Sequence, residues 1–172
     1  MFLAYTLLLG IQIFFALFIL FLCIAFVTGG PFVPSKQSSV DAMIRLAGIK
    51  RGTRVVDVGS GDGRVLFASA RAGADATGYE INPFLVWFTN VRSFFTGTSK
   101  HVRAVWKDLW KTDLSNADVI FVYLIPWRMA DLEAKLKKEA KKGTVVISNS
   151  FMFPKWKMIR SDTAHHIFAY RL

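Results

Sequence analysis

From Met1 to Val27 the chain carries no charged side chain; Leu, Ile and Phe dominate, broken only by Thr6, Gln12 and a few small residues. Crossing a ~30 Å hydrocarbon core takes about 20 apolar residues at ~1.5 Å rise each. The run therefore predicts a transmembrane anchor over residues 1–28. A cleaved signal peptide competes with it and would want a basic start, an apolar core of about 7–15 residues and small residues at the cleavage site. Here the start is uncharged, the core is longer, and "FVTGGPF" offers no A-x-A pattern.

Beyond the anchor the pattern breaks into short elements. "TGGPFVPSKQSS", residues 28–39, has the Gly, Pro and Ser of a linker, so residues 29–39 are read as linker and 40–172 as one domain. "SSVDAMIRLAGI" places Val40, Met43, Ile44 and Ala47 at helical spacing and stops at Gly48. Strand and helix signals then alternate. "TRVVDVG", "ADATGYE", "HVRAVWKD", "ADVIFVYL" and "GTVVISNS" read as strands. "GRVLFASARAG", "NPFLVWFTNVRSFF" with Pro83 near its start, and a charged segment from about Trp127 to Lys142 read as helices. The charged helix would pair Asp131 with Lys135 and Glu133 with Lys137 and lie on a solvated surface. "KWKMIRSD" and "HHIFAYRL" predict a closing antiparallel pair. Such alternation predicts an α/β fold: a seven-stranded, doubly wound, mostly parallel sheet covered on both faces.

Composition adds direction. All 22 Lys and Arg residues follow the apolar run, which by the positive-inside rule places the body on the cytoplasmic side. The net charge of +10 suits an anionic lipid surface, where each basic residue near the membrane contributes about 1 kcal/mol, ahead of nucleic acid. The single cysteine, Cys23, lies in the apolar run; it excludes a disulfide framework and a zinc cluster and reads as apolar filler, with lipidation second. His101, His165 and His166 are dispersed and read as strand residues, without catalytic or metal roles.

The chemistry is concentrated in "VVDVGSGDGR", residues 55–64. A strand, a glycine turn and a helix start leave backbone N–H groups free and let a ligand approach the main chain. A phosphate loop fails, since no Gly-Lys-Ser/Thr occurs; a dinucleotide fingerprint fails at its third glycine, which is Arg64. What remains is Asp57 two residues before Gly59, Gly61 and Gly63. Asp57 disfavours a pyrophosphate and suits a cationic amino group. Glu80 ends the second strand, where a carboxylate can accept from both ribose hydroxyls. Asp108 ends the third, where it can meet an adenine amino group. Together they describe a pocket for S-adenosyl-L-methionine; a bare tight turn is the plainer alternative.

"VVDVGSGDGRVLFASA", "TGYEINPFLV" and "KDLW" resemble the motifs of the Rossmann-like, seven-stranded class I methyltransferases. With "PFVPS", "VYLIP", "NSFMFPKW" and the terminal "FAYRL", the chain from about residue 30 onward looks most like the lysine N-methyltransferases of the ATP synthase c-subunit and adenine nucleotide translocase type. That resemblance implies a cofactor site at Asp57, Gly59, Gly61, Gly63, Glu80 and Asp108, with Ser35 where relatives often carry threonine. It also implies membrane association through an apolar N-terminal segment. The implied acceptor is a lysine on a membrane protein. Nucleobase amino-methyltransferases usually carry [D/N/S]-P-P-[Y/F/W] after the fourth strand; "YLIPW" has one proline and no polar residue before it, which argues against that class. Tyr123, Pro126, Asn149 and Phe151 are expected to form the acceptor side of a catalytic channel. Trp127 and Trp156 are read equally as channel lining or as packing. A lipid or quinone methyltransferase and a non-catalytic, S-adenosylmethionine-binding membrane protein stay open beside the lysine reading.

Overall fold

The computed structural model describes residues 2–28 and 32–172, with side chains for residues 4–20 and 32–172. The chain divides into two compact units, Met1–Pro31 and Phe32–Leu172. The described residues of unit one form a single helix, α1 (Phe2–Thr28), with no acid in its first turn and no base in its last. The expected helix forms, but among the described residues no helix is long and apolar enough to cross a membrane. Cys23 and residues 29–31 of the expected linker lie outside what is described at side-chain or backbone level.

The second unit begins with α2 (Gln37–Ala47), which ends at Gly48. There follow β1 (Arg54–Val58), α3 (Arg64–Arg71), β2 (Asp75–Glu80), α4 (Pro83–Phe95), β3 (Val102–Trp106) and β4 (Val119–Val122). After these come α5 (Met129–Glu139), β5 (Val145–Asn149), β6 (Arg160–Asp162) and β7 (Ile167–Arg171). The seven strands stand in the order β3-β2-β1-β4-β5-β7-β6. Strands β1 to β5 are mutually parallel, and β7 runs antiparallel to both β5 and β6. The strand order reverses between β1 and β4, the switch point outside which open α/β sheets bind ligands.

Two apolar layers sandwich the sheet. Val40, Met43, Leu66, Phe67 and Phe121 belong to one; Ile120, Leu132, Leu136, Val146 and Tyr170 belong to the other. The α2 stripe Val40, Met43 and Ala47 is buried as its spacing requires, while Ile44 is partly buried.

Three expectations change. The charged helix is shorter than expected and is not simply a solvated element. Met129, Leu132, Glu133 and Leu136 are buried, and the Glu133 carboxylate accepts from Lys137 Nζ (3.0 Å) and the Lys155 amide (3.0 Å). Asp131 pairs with Arg128 (2.8 Å), and Lys135 pairs with Glu139 (2.7 Å) while donating to the Thr112 carbonyl. The sequence pairs alone could not choose between partners three and four residues away. Finally, His101 sits just before β3 against Asp75 (2.7 Å), and His165 and His166 occupy the β6–β7 turn, with His165 on Asp162 (2.9 Å). None of the three is in a strand.

Candidate functional site

The parallel register lines up one row of residues along the carboxyl edge of the sheet. Val58 is level with Tyr79 and Val122, Val122 with Ser148, and Glu80 with Trp106. One step further, Glu80, Gly59, Tyr123 and Asn149 therefore stand side by side across the switch point. This row carries residues at or just past the ends of four strands, separated in sequence by up to about two thirds of the domain.

The turn after β1 is built on positive backbone angles: φ is +81° at Gly59, +55° at Gly61 and +77° at Gly63. At Gly63 a side chain is excluded twice. Its φ is one that L-residues rarely adopt, and a Cβ would stand 2.6 Å from Thr89 Cγ2. Gly63→Ala should lower stability by about 2–4 kcal/mol, the left-handed strain plus overpacking. Urea unfolding of the two proteins, compared at equal slope, measures it.

Glu80 holds the turn in place. Its Oε2 accepts from the Gly61 amide and its Oε1 from the Asn82 amide, each at 2.9 Å, with the carboxylate buried. Asn82 in turn caps α4 by accepting from the Phe84 amide (3.0 Å), with Pro83 in the first turn. A carboxylate has about four lone-pair sites, so each oxygen keeps one for a further donor.

Asp57 differs. It is 6% exposed, beside the Glu80 and Asp62 carboxylates. Burial, together with the neighbouring Glu80 and Asp62 carboxylates, pushes it up to about 7 from the usual 3.8. A cation beside Asp57 would restore the charged form, which is what a cationic ligand amine requires of such a site. Without ligand, the folded protein binds more protons than the unfolded chain between pH 4 and 7, so this group makes stability fall as pH rises through that window. Asp57→Asn should therefore gain on the parent protein by about 2–3 kcal/mol between pH 5 and pH 8. Paired denaturation curves at the two pH values give the difference.

Asp62 is held below the usual carboxylate range by Arg64, whose Nη2 lies 2.6 Å away. The same guanidinium donates to the Ser35 carbonyl. Ser35 Oγ accepts from Asn149 Nδ2 at 3.1 Å. The segment before α2 thus bridges the start of α3 and the end of β5. Phe32, in the same segment, has ring carbons 2.5–2.8 Å from where a Cβ on Gly61 would be. Neither Phe32 nor Arg64 carried a site signal in the sequence.

The remaining predicted residues are placed unevenly. β3 ends at Trp106, two residues earlier than expected, and Asp108 accepts from the Trp110 amide (3.0 Å), capping the short 3-10 turn Leu109–Lys111. Tyr123 is partly exposed directly after β4. Pro126 opens a surface 3-10 turn, Pro126–Arg128. Asn149 is buried and receives the Ser150 hydroxyl on Oδ1 (3.0 Å). Phe151 is half-buried, its amide on the Asn149 carbonyl (2.9 Å). Trp156 is half-buried and packs against Phe153 and Tyr170 at 4.5 and 6.0 Å between ring centres. Ser150, unmarked in the sequence, has φ +68°, a strained angle at the end of β5. Among the described residues no group of three His, Cys, Asp or Glu side chains could hold a metal ion.

Residues 57–160, from the buried acid past the end of β5, match the ANTKMT methyltransferase domain. The chain belongs to that family. It is 38% identical over 126 residues to the lysine N-methyltransferase of the ATP synthase c-subunit from Mus musculus, a match that spans 73% of this chain and 51% of that one. To the adenine nucleotide translocase lysine N-methyltransferase of the same species it is 35% identical, over 75% and 56% of the two chains. The chain thus spans about half the length of these curated relatives. Among solved structures it resembles an RNA methyltransferase from Salinibacter ruber in complex with S-adenosyl-L-homocysteine. The TM-score is 0.76 and the identity 33%, over 81% of this chain and 92% of that one.

Proposed function

We propose that this protein is an S-adenosyl-L-methionine-dependent protein-lysine N-methyltransferase working at a membrane surface on a membrane-protein lysine. Family membership carries the reading: the matched residues 57–160 include Asp57, the glycine turn, Glu80 and Asp108, and the curated relatives are lysine N-methyltransferases.

The cofactor, when bound, supplies a methyl group activated on a sulfonium. Asp57 offers its buried carboxylate to the cofactor's cationic amino group. Glu80 accepts from ribose hydroxyls with the lone pairs that Gly61 and Asn82 leave. The turn Gly59–Gly63 lets the ligand lie against main chain; Asp108 would accept from the adenine amino group and Ser35 closes the site from the preceding segment. On the acceptor side, Tyr123 and Asn149 orient the amine, with Pro126 and Phe151 forming apolar walls. A free lysine, with a pKa of ~10.4, is neutral in only about one molecule in a thousand near pH 7.4, a cost of roughly 4 kcal/mol. An apolar approach beside a positive sulfonium favours the neutral amine, and alignment of its lone pair supplies much of the rate. No dedicated base is needed.

For the location, we infer that α1 anchors the protein in a bilayer with the basic body on the cytoplasmic side. The uncharged run Met1–Val27 and the 22 basic residues that follow it support this. A second reading, RNA methylation, is favoured by the likeness to the RNA methyltransferase from Salinibacter ruber and by the net charge of +10. Incubating the protein with membranes and isotope-labelled S-adenosyl-L-methionine, then separating protein, lipid and RNA, decides. Label is expected on lysines of membrane proteins; label mainly in RNA or lipid overturns the lysine assignment.

A further inference from the structure

α4 is built inside out. Its polar side chains Thr89 and Ser93 are the buried ones, at 0% and 1% exposure. They donate to the Gly61 and Val102 carbonyls, and Asn90 exchanges two 2.9 Å hydrogen bonds with the Ala104 main chain on β3. The outward side carries Phe84, Trp87, Phe88, Phe94 and Phe95, exposed from 46% (Phe88) to 81% (Phe95). Trp106 on the edge strand adds a sixth ring, exposed and tied by Nε1 to the Ile81 carbonyl (2.9 Å). At ~150–250 Å² per aromatic side chain, this patch exceeds the ~300–600 Å² of the largest apolar patch on an ordinary monomer. The fully buried positions of α4 are Thr89 and Ser93, and Leu85, Val86 and Val91 are half-buried, so these outward aromatics are not spent on core packing.

The charges around it identify the surface it fits. From Ile81 to Lys107 there is no Asp or Glu, while Arg92, Lys100, Arg103 and Lys107 are all exposed. Phe and Trp on one face with Lys and Arg at the margin is the composition of helices that lie in the headgroup region with their apolar face ~5–10 Å deep. Trp and Tyr settle at that depth because their rings are amphipathic. We propose that α4 and the adjoining edge strand β3 form an interfacial docking surface for an anionic lipid bilayer. It deepens the membrane-surface part of the proposed function and rests on it. Because α4 begins three residues after Glu80, its insertion fixes the carboxyl edge of the sheet, and the site built there, against the headgroups.

The test uses the full chain with Cys23→Ser, carrying one new cysteine in place of exposed Phe88 or, as a control on α5, of exposed Lys138. Each is spin-labelled and mixed with vesicles of phosphatidylcholine and phosphatidylserine. Collision with apolar oxygen and with a water-soluble nickel chelate is then compared. The label at 88 should favour oxygen and lose most of its nickel broadening on vesicle binding, while the label at 138 should keep it. If the protein floats with the vesicles but both labels stay equally open to nickel, α4 is not a lipid surface even though the protein is membrane-bound. If the label at 88 is shielded from both reagents, a protein surface or a second copy covers α4 and the proposal is overturned. If the protein does not float at all, the membrane reading itself falls and takes this inference with it.

Discussion

Glu80→Ala is expected to weaken S-adenosyl-L-methionine binding by about a hundredfold or more and to lower the stability of the ligand-free domain as well. The two losses share one cause. The carboxylate accepts from the amides of Gly61 and Asn82, so it ties the glycine turn to the start of α4 before any ligand arrives. Hydrogen bonds to a charged group contribute about 1.5–3 kcal/mol each, and their removal here leaves two N–H groups without acceptors. A tenfold change in affinity is about 1.4 kcal/mol, so losing the ribose contacts plus the preformed turn accounts for two decades. Glu80→Gln keeps the shape and one acceptor oxygen but turns an amine toward one of the two amides; it should fall between parent and alanine variant in both readouts. Calorimetric titration gives the affinity and urea unfolding the stability. An alanine variant that binds the cofactor like the parent would remove Glu80 from the site.

How far the sequence reached is clearest at particular residues. Strands β1, β4 and β5 were legible as β-branched runs, and β2, β3 and β7 as short runs between turn signals, while β6 (Arg160–Asp162) has no apolar residue and was legible only as the partner of β7; the alternation with helices fixes the five parallel strands. The acid–glycine–acid order was legible because Asp57, the glycines and Glu80 belong to consecutive elements, whose neighbours in space follow from chain order. The Ser35–Asn149 hydrogen bond was not. It joins groups 114 positions apart, and no local period encodes which serine meets which amide. Glu133 shows a second limit. Its spacing to Lys137 reads as a solvated pair, and the pair does form, yet the carboxylate is buried because it also receives the Lys155 amide from the segment after β5. α4 shows a third: periodicity identified the helix, but hydrophobic residues at helical spacing do not say which side faces the sheet. Thr89 and Ser93 find carbonyl acceptors there, so the aromatics face outward.

With saturating cofactor and chemistry limiting, the methyl-transfer rate should rise about tenfold per pH unit from pH 6.5 to 8.5, roughly a hundredfold in all. The reason is the acceptor. Only a neutral amine has a lone pair to donate, and below its effective pKa each unit of pH multiplies that fraction by about ten. Saturating cofactor matters, because Asp57, at about 7 in the ligand-free protein, changes charge within the same range and would otherwise add its own slope to the profile. The alkaline bend of the curve then reports the amine in its bound environment, and it should lie below ~10.4 if the apolar walls and the sulfonium disfavour the ammonium. Tyr123→Phe and Asn149→Ala, which disturb orientation but not the protonation of the substrate, should lower the rate while leaving the slope below the bend intact. The profile also separates the two acceptor classes. The exocyclic amines of nucleobases are already neutral at pH 7, so an enzyme that methylates them has no ammonium to deprotonate and its rate would be nearly level over these two units. A flat profile measured on the chain's own substrate, with cofactor saturation verified at each pH, would contradict lysine as the methyl acceptor.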